Sequence, residues 1–492
     1  MSLINVKNLT FAYEGSHDII FDNVSFMLDT DWRLGLTGRN GRGKTTLLKL
    51  LMGEYSFSGS ISSDVEFEYF PYEVALKQRL TLELVTSMLP GVEEWEILRE
   101  LNLLKTADDL LYRPFDTLSN GEQTKVLLAA LFLKQNRFLL IDEPTNHLDM
   151  ESRAVVSNYL RQKSGFILIS HDRALLDGCI DHIISINKCD IDIQKGNFSS
   201  WWQNKVRQDS FEQAENEKLK KDIKRLEQAA KQTATWSDQV EKTKYSTRNS
   251  GLRPDRGYIG HKAQKMMKRS KSLESRQQFA IEGKSKLLKN IETAEKLKIQ
   301  PLEYRAATLV GIEKVTIYYS DRKVCQNVSF SVERGDRIAV CGSNGSGKSS
   351  LIKLIMGEDI SHLGKILRGS GLKISYVGQD ASWLTGSLSE YAQEQKMDES
   401  LFKAILRKLD FSRTQFEKDM KDFSAGQKKK VLLARSLCEQ AHLYIWDEPL
   451  NFIDVYSRMQ IEALLEAYRP TILFVEHDRT FCQTIATKTV KL

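Results

Sequence analysis

At 492 residues the chain is long enough for two to four domains, and a hydrophobic content of 41% with 28% charged residues supplies ordinary globular cores. No run of about 18 apolar residues occurs, which argues against a membrane-spanning helix, and the opening MSLINVKNLTFAYEG lacks the basic-then-apolar order of a signal peptide. The net charge of +6 is unevenly placed: residues 205–300 hold 24 Lys and Arg against 13 Asp and Glu, a local +11 that leaves −5 for the rest. Such an asymmetry points to a polyanionic partner. Six scattered cysteines (Cys179, Cys189, Cys325, Cys341, Cys438, Cys482) form no CxxC pair. That argues against a zinc site or disulfide framework and fits a reducing cytoplasm.

The first predicted element is a strand over Trp32–Thr37, followed by Gly38-Arg39-Asn40-Gly41-Arg42-Gly43-Lys44-Thr45-Thr46 and a helix over Thr45–Met52. This fits G-x-x-x-x-G-K-[ST] in its required strand–loop–helix setting. Glycines there let backbone N–H groups turn around phosphate oxygens, the helix N-terminus adds positive potential, and Lys44 is placed for the β/γ-phosphates. The Thr45 hydroxyl is placed for Mg²⁺. Next, an apolar strand Phe138–Ile141 runs into Asp142-Glu143. A carboxylate at that strand end can hold Mg²⁺ through water, and Glu143 is the expected general base orienting water for attack on the γ-phosphate. A third strand, Phe166–Ile169, leads to Ser170-His171-Asp172.

The stretch from about 200 to 300 changes character. Leu219, Ile223, Leu226 and Ala230 recur at four-three-four steps, and Met266, Leu273, Ala280 and Leu287 at steps of seven, a coiled-coil seam. Gly251, Pro254, Gly257 and Gly260 interrupt it with turn-forming residues. The spacing predicts two long antiparallel helices, about 60 Å each at about 1.5 Å per residue, with an irregular basic tip over about 243–262. Lys242, Lys244, Arg248, Arg253 and Arg256 are the expected RNA-binding cations there. A solvated spacer is the plainer reading, but the segment is far longer than joining two domains requires.

Beyond it the first module returns. GRNGRGKTT reappears as GSNGSGKSS (Gly342, Ser343, Asn344, Gly345, Ser346, Gly347, Lys348, Ser349, Ser350), FLLIDEPTNHLD as LYIWDEPLNFID, and LISHDRALL as FVEHDRTFC. The stretch LSNGEQTKVLLAA likewise matches FSAGQKKKVLLAR. Spacings agree too: Lys44 to Ser119 is 75 residues and Lys348 to Ser424 is 76, and 23 residues separate Ser119 from Asp142 and Ser424 from Asp447. Four blocks in one order define a tandem duplication. Asp447 and Glu448 therefore take the expected roles of Asp142 and Glu143, and Ser349 that of Thr45.

These residues carry a resemblance. Ser119-Asn120-Gly121-Glu122-Gln123 and Ser424-Ala425-Gly426-Gln427 look like the signature loop of ATP-binding-cassette (ABC) proteins, which caps the γ-phosphate bound to the opposite cassette. The resemblance implies an α/β fold of two tandem ABC-type P-loop ATPase domains, residues 1–199 and 301–492, joined by a helical hairpin linker at 200–300. It pairs the first P-loop with Ser424 and Gly426, and the second with Ser119 and Gly121. His171 and His477 match the switch histidine, Asp149 and Asp454 the loop coupling the sites, Tyr13 and Tyr319 the aromatic stacked on adenine, and Gln379 the Q-loop ligand to Mg²⁺. The first cassette departs from this pattern, with Tyr69-Phe70-Pro71-Tyr72-Glu73 where a glutamine is expected; Glu73 is the candidate substitute. The second reads Leu450-Asn451-Phe452-Ile453-Asp454 in its coupling loop.

Two cassettes in one chain without a membrane domain resemble the F subfamily of ABC proteins (ABC-F). That implies a cytoplasmic monomer that binds ATP and Mg²⁺ and enters the exit (E) site of the 70S ribosome. Its linker would lie against 23S rRNA and P-site tRNA, reaching toward the peptidyl-transferase centre, and hydrolysis would release it. Tyr72 to Ser119 is 47 residues and Gln379 to Ser424 is 45, which leaves no room for the extra arm of housekeeping members; the chain also stops soon after the second switch. This compact form is similar to antibiotic-resistance ribosome protection proteins of the Lsa type, acting on lincosamides, pleuromutilins and streptogramin A. A housekeeping ABC-F translation factor and the ATPase subunit of an exporter are the competing readings.

Overall fold

The computed structural model describes residues 2–13, 19–72, 74–134, 136–146, 148–187, 191–243, separated positions between 261 and 276, 296–319 and 322–492. The first half runs β1 (Leu3–Ala12), β2 (Ile19–Asp29), β3 (Arg33–Gly38), α1 (Lys44–Leu51), β4 (Ser58–Ser62), β5 (Glu66–Phe70), α2 (Thr81–Met88), α3 (Glu94–Leu103), α4 (Asn120–Leu133), β6 (Arg137–Asp142), α5 (Met150–Arg161), β7 (Phe166–Ile169), α6 (Arg173–Cys179), β8 (His182–Ile186) and β9 (Ile191–Lys195). A six-stranded sheet of order β5-β6-β7-β3-β8-β9 is parallel except for its last pair. Its central strands are apolar throughout, with Phe138–Ile141 and Phe166–Ile169 buried, as parallel strands covered on both faces require. A second, antiparallel sheet of order β2-β1-β4 packs its alternate residues Ile4, Val6, Leu9 and Phe11 into the same core as Leu34, Leu36 and α1.

After the helix α7 (Phe198–Thr243), the pattern repeats as β10 (Thr308–Tyr319), β11 (Arg322–Glu333), β12 (Arg337–Cys341), α8 (Lys348–Met356), β13 (His362–Arg368), β14 (Ile374–Val377), α9 (Leu388–Glu394), α10 (Glu399–Lys408), α11 (Ala425–Cys438), β15 (Leu443–Asp447), α12 (Val455–Tyr468), β16 (Ile472–Val475), α13 (Arg479–Ile485) and β17 (Lys488–Lys491). Its parallel sheet, β14-β15-β16-β12-β17, repeats the order β5-β6-β7-β3-β8, and β11-β10-β13 repeats β2-β1-β4. The fold is thus two tandem α/β P-loop modules. In each, the P-loop strand and the Asp-Glu strand flank the switch strand, so three loops open at one sheet edge, where open α/β sheets bind ligands.

The chain divides into two compact units, Met1–Trp201 with Ala294–Leu492, and Trp202–Thr293. The first turn of α7 belongs to the first of these: Phe198 and Trp201 are buried, and Ser199 donates to Asp177 through its backbone N–H at 2.7 Å. On the return side, Leu297 and Ile299 are buried in the second module's core. Within the second unit, Lys205, Asp209, Glu212, Asn216, Leu219 and Ile223 form a half-buried stripe on α7 at the four-and-three spacing of a coiled-coil face. Leu226 and Ala230 lie on α7, but their side chains, like that of Lys242, fall outside the described residues. Met266, Leu273, Ala280, Leu287 and the tip residues Lys244, Arg248, Arg253 and Arg256 also lie outside them, as does Glu73.

Candidate nucleotide-binding sites

Each P-loop runs from the last strand residue to the helix, and the glycine before each lysine holds a left-handed backbone, φ 90° at Gly43 and 93° at Gly347. A side chain at Gly43 would stand 2.6 Å from Ile20 Cγ2, so that position needs glycine twice over. Lys44 Nζ donates to Gly38 O at 2.8 Å and Arg39 O at 3.3 Å, and Lys348 Nζ to Gly342 O and Ser343 O, both at 2.9 Å. Burial lowers the pKa of both ammonium groups. A buried cation resting on neutral carbonyls is what a phosphate would complete. Tyr13 and Tyr319 stand beside the P-loop helices: Tyr13 Oη is 2.7 Å from Thr46 Oγ1 and Tyr319 Oη donates to Ser350 Oγ at 3.2 Å. Both side chains are exposed, and the Tyr13 ring also meets Phe11 and Tyr55 in T-shaped contacts.

The acidic pairs lie directly across. Thr45 Oγ1 donates to Asp142 Oδ2 at 2.8 Å, and the Ser349 hydroxyl likewise bonds Asp447. Asp447 Oδ1 is buried without a donor, an acceptor that a cation would satisfy. Glu143 and Glu448 both sit at positive φ, 49° and 48°, with their N–H groups held by Ile169 O at 2.9 Å and Val475 O at 3.0 Å. Two non-glycine residues in this sparsely populated region, at matching positions, store strain where function is expected. His171 Nε2 lies 3.4 Å from Glu143 Oε1 and His477 Nε2 3.5 Å from Glu448 Oε1.

The environments of the two glutamates differ. Burial, with the adjacent Asp142 charge, pushes Glu143 up to about 8. Burial also pushes Glu448 up, but hydrogen bonds from His477 and Gln379 and the Lys429 charge outweigh it, so that carboxyl is held below its ordinary value. Gln379 Nε2 donates to Glu448 Oε2 at 3.0 Å and Asn451 Nδ2 to the same oxygen at 2.6 Å. In the first module Tyr72 lies under Lys134 Nζ, 4.9 Å from the ring centroid, and Tyr69 reaches the site instead, donating to Asp142 Oδ2 at 3.1 Å. Burial, then Lys44 and Arg458, hold the His171 imidazole well below its ordinary range, so it is neutral.

The two modules meet head to tail. Ser119 and Ser424 are N-caps of α4 and α11, each in a capping box with Glu122 or Gln427. A hydroxyl engaged this way leaves the helix N-terminus aimed outward with its positive potential. Gly426 lies against Asn40 of the first P-loop, whose Nδ2 donates to Phe452 O at 3.0 Å. Arg39 pairs with Asp410 at 3.4 Å and lies over the Tyr456 ring at 5.5 Å. On the other side Asp149 accepts from the backbone N–H of Asn344, and a cavity of about 810 Å³ is lined by Ser119, Gly121, Gly345, Ser349, Gln379, Glu448 and His477. The first P-loop is thus brought to Gly426 and the second to Ser119 and Gly121. Asp149 and Asp454 cap α5 and α12 while facing Lys348 and Lys44.

Sequence analysis named Tyr69 and Asn451 only as parts of departing loops, without a role, and did not name Asp410, Tyr456 or Lys429. Lys429 left a signal in the KKK of GQKKKV against QTK in the first copy; Asp410 and Tyr456 reach their places through packing between modules.

Two P-loop modules that complete each other's sites define a twin-cassette ATPase. A family model described as ABC transporter matches residues 21–146 and 325–451, just over half of the chain, and the chain belongs to that family: it binds and hydrolyses ATP. It is 28% identical to the ATP-binding protein Uup of Buchnera aphidicola subsp. Acyrthosiphon pisum, over 99% of this chain and 80% of that one. It is also 28% identical to the Ribosome protection protein VmlR of Bacillus subtilis, over 96% of this chain and 84% of the relative. Among solved structures, the complex of archaeal ribosomal stalk protein aP1 with the archaeal ribosome recycling factor aABCE1 matches with TM-score 0.64 at 18% identity, covering 98% of this chain and 87% of that one. That likeness bears on the fold. Among the described residues no helix is long and apolar enough to cross a membrane.

Proposed function

We propose that the protein is a cytoplasmic ABC-F ATPase that protects ribosomes: ATP closes the two modules, and the closed form binds the exit site of the 70S particle. Its basic linker lies against 23S rRNA and P-site tRNA near the peptidyl-transferase centre and displaces lincosamide, pleuromutilin and streptogramin A antibiotics, and hydrolysis releases it. The similarity to VmlR, spanning nearly the whole chain, carries this reading. The +11 excess of residues 205–300 supports it, because neutralising phosphates gives salt-dependent affinity for RNA. In the sites, Thr45, Asp142, Ser349, Gln379 and Asp447 are the residues that would hold Mg²⁺. The ion's chemistry is to neutralise charge developing on the phosphates. Glu143 and Glu448 orient the attacking water, and His171 and His477 sense the γ-phosphate.

The Glu143→Gln/Glu448→Gln double variant tests the ribosomal part. With ATP it is expected to co-sediment with 70S particles and to stay there. Recovery in the membrane fraction instead would install the exporter reading. Uup, whose name states only ATP binding, matches at the same identity as VmlR, so identity does not select the resistance reading over the housekeeping one. Expression in a drug-sensitive host does: inhibitory concentrations should rise for all three drug classes, and unchanged values for all three would leave only the housekeeping reading.

A further inference from the structure

Aligned on Ser119 and Ser424, the signature helices differ at an inward position beside the second site: α4 carries Thr124 and α11 carries Lys429. The Thr124 hydroxyl turns back onto Asn120 O at 2.8 Å, within its own helix. Lys429 is only 2% exposed, and its Nζ donates to Gly378 O at 2.8 Å and to Asp447 O at 3.4 Å. Gly378 directly precedes Gln379, and Asp447 directly precedes Glu448; the Gln379 side chain in turn holds the Glu448 carboxylate. One ammonium group therefore ties the ends of β14 and β15 to α11. The carboxylates facing it are those of Glu476, Asp447, Glu448 and Asp380.

Stability alone does not explain a lysine here. Removing an ammonium from water costs several kcal/mol, and an apolar replacement is often as stable. The first module builds the same strand order with threonine at this position, so the fold does not require the charge.

We propose that Lys429 is a positioning residue for hydrolysis at the second P-loop, fixing the two backbones that bring Gln379 and Glu448 together. The proposal rests on Glu448 being the group that orients the attacking water. The test uses the full chain carrying Glu143→Gln, so that turnover reports the second site. In that background Lys429→Met should lower kcat at least ~10-fold while KM for ATP moves less than ~3-fold, since a lost transition-state contact lowers kcat without raising KM. Lys429→Arg should recover part of the loss, and the thermal midpoint should stay within a few degrees. Lys429→Thr, the residue that the first module already accommodates, is the second variant, expected to behave like Lys429→Met. A kcat within ~2-fold of the parent overturns the proposal. So does joint loss of nucleotide affinity, turnover and folding in both variants, which would make Lys429 purely structural. Adding Glu448→Gln separates the premise: turnover surviving that change removes the role of Glu448, whatever Lys429 does.

Discussion

Gly426 has no side chain because none would fit: an added Cβ would stand 2.4 Å from Phe452 O and 3.2 Å from Asn40 Nδ2. The neighbour is backbone, and Phe452 is itself held at φ 63°, so it has little room to give. Gly426→Ala should therefore lift the start of α11 from the first P-loop. In a Glu448→Gln background, where turnover reports the first site, ATPase activity is expected to fall at least ~10-fold, equivalent to about 1.4 kcal/mol of transition-state stabilisation. In a Glu143→Gln background, second-site turnover should change by less than ~2-fold. Equal losses in both backgrounds would show that the glycine serves the interface as a whole rather than one site.

Among the elements, the caps show how local chemistry and site geometry share residues. Asp172 and Asp478 cap α6 and α13 directly after the switch histidines, and each also binds an arginine, Arg153 at 3.1 Å and Arg458 at 3.2 Å. A cap alone contributes about 1 kcal/mol; here it also fixes where the histidine loop ends. The helices α6 and α12 are joined across the modules by Arg173 and Glu462, a buried ion pair. Breaking a buried pair costs about 3–5 kcal/mol because the survivor is left uncompensated. Arg173→Ala should therefore reduce ATP-induced compaction measured by small-angle scattering, and the exchanged pair Arg173→Glu/Glu462→Arg should restore part of it. Full compaction in Arg173→Ala would place the closing force at the P-loops alone.

For the whole molecule, the arrangement separates two tasks. The duplicated modules, net −5 outside residues 205–300, hold the nucleotide chemistry, while the basic segment holds the positive charge suited to a polyanionic partner. Because each site borrows from the opposite module, a nucleotide can favour one arrangement of the modules only by binding that arrangement better. The unequal surroundings of Glu143 and Glu448 make the two sites chemically distinct.

The P-loops, the Asp-Glu strands, the strands that lead to His171 and His477, and the duplication were legible in the residues themselves, because phosphate binding needs fixed types at fixed spacing along one strand, loop and helix. Strand positions were read to within a residue, Trp32–Thr37 against Arg33–Gly38, since buried parallel strands are apolar throughout. Contacts formed by packing were not legible. Arg39 with Asp410, Asn40 with Phe452, Tyr69 at Asp142 and the ammonium of Lys429 between two strand ends join residues up to 412 positions apart. No periodicity encodes such pairs. They exist only once both sheets have formed and the modules have met, so tertiary structure alone decided how each site is finished and why the two differ.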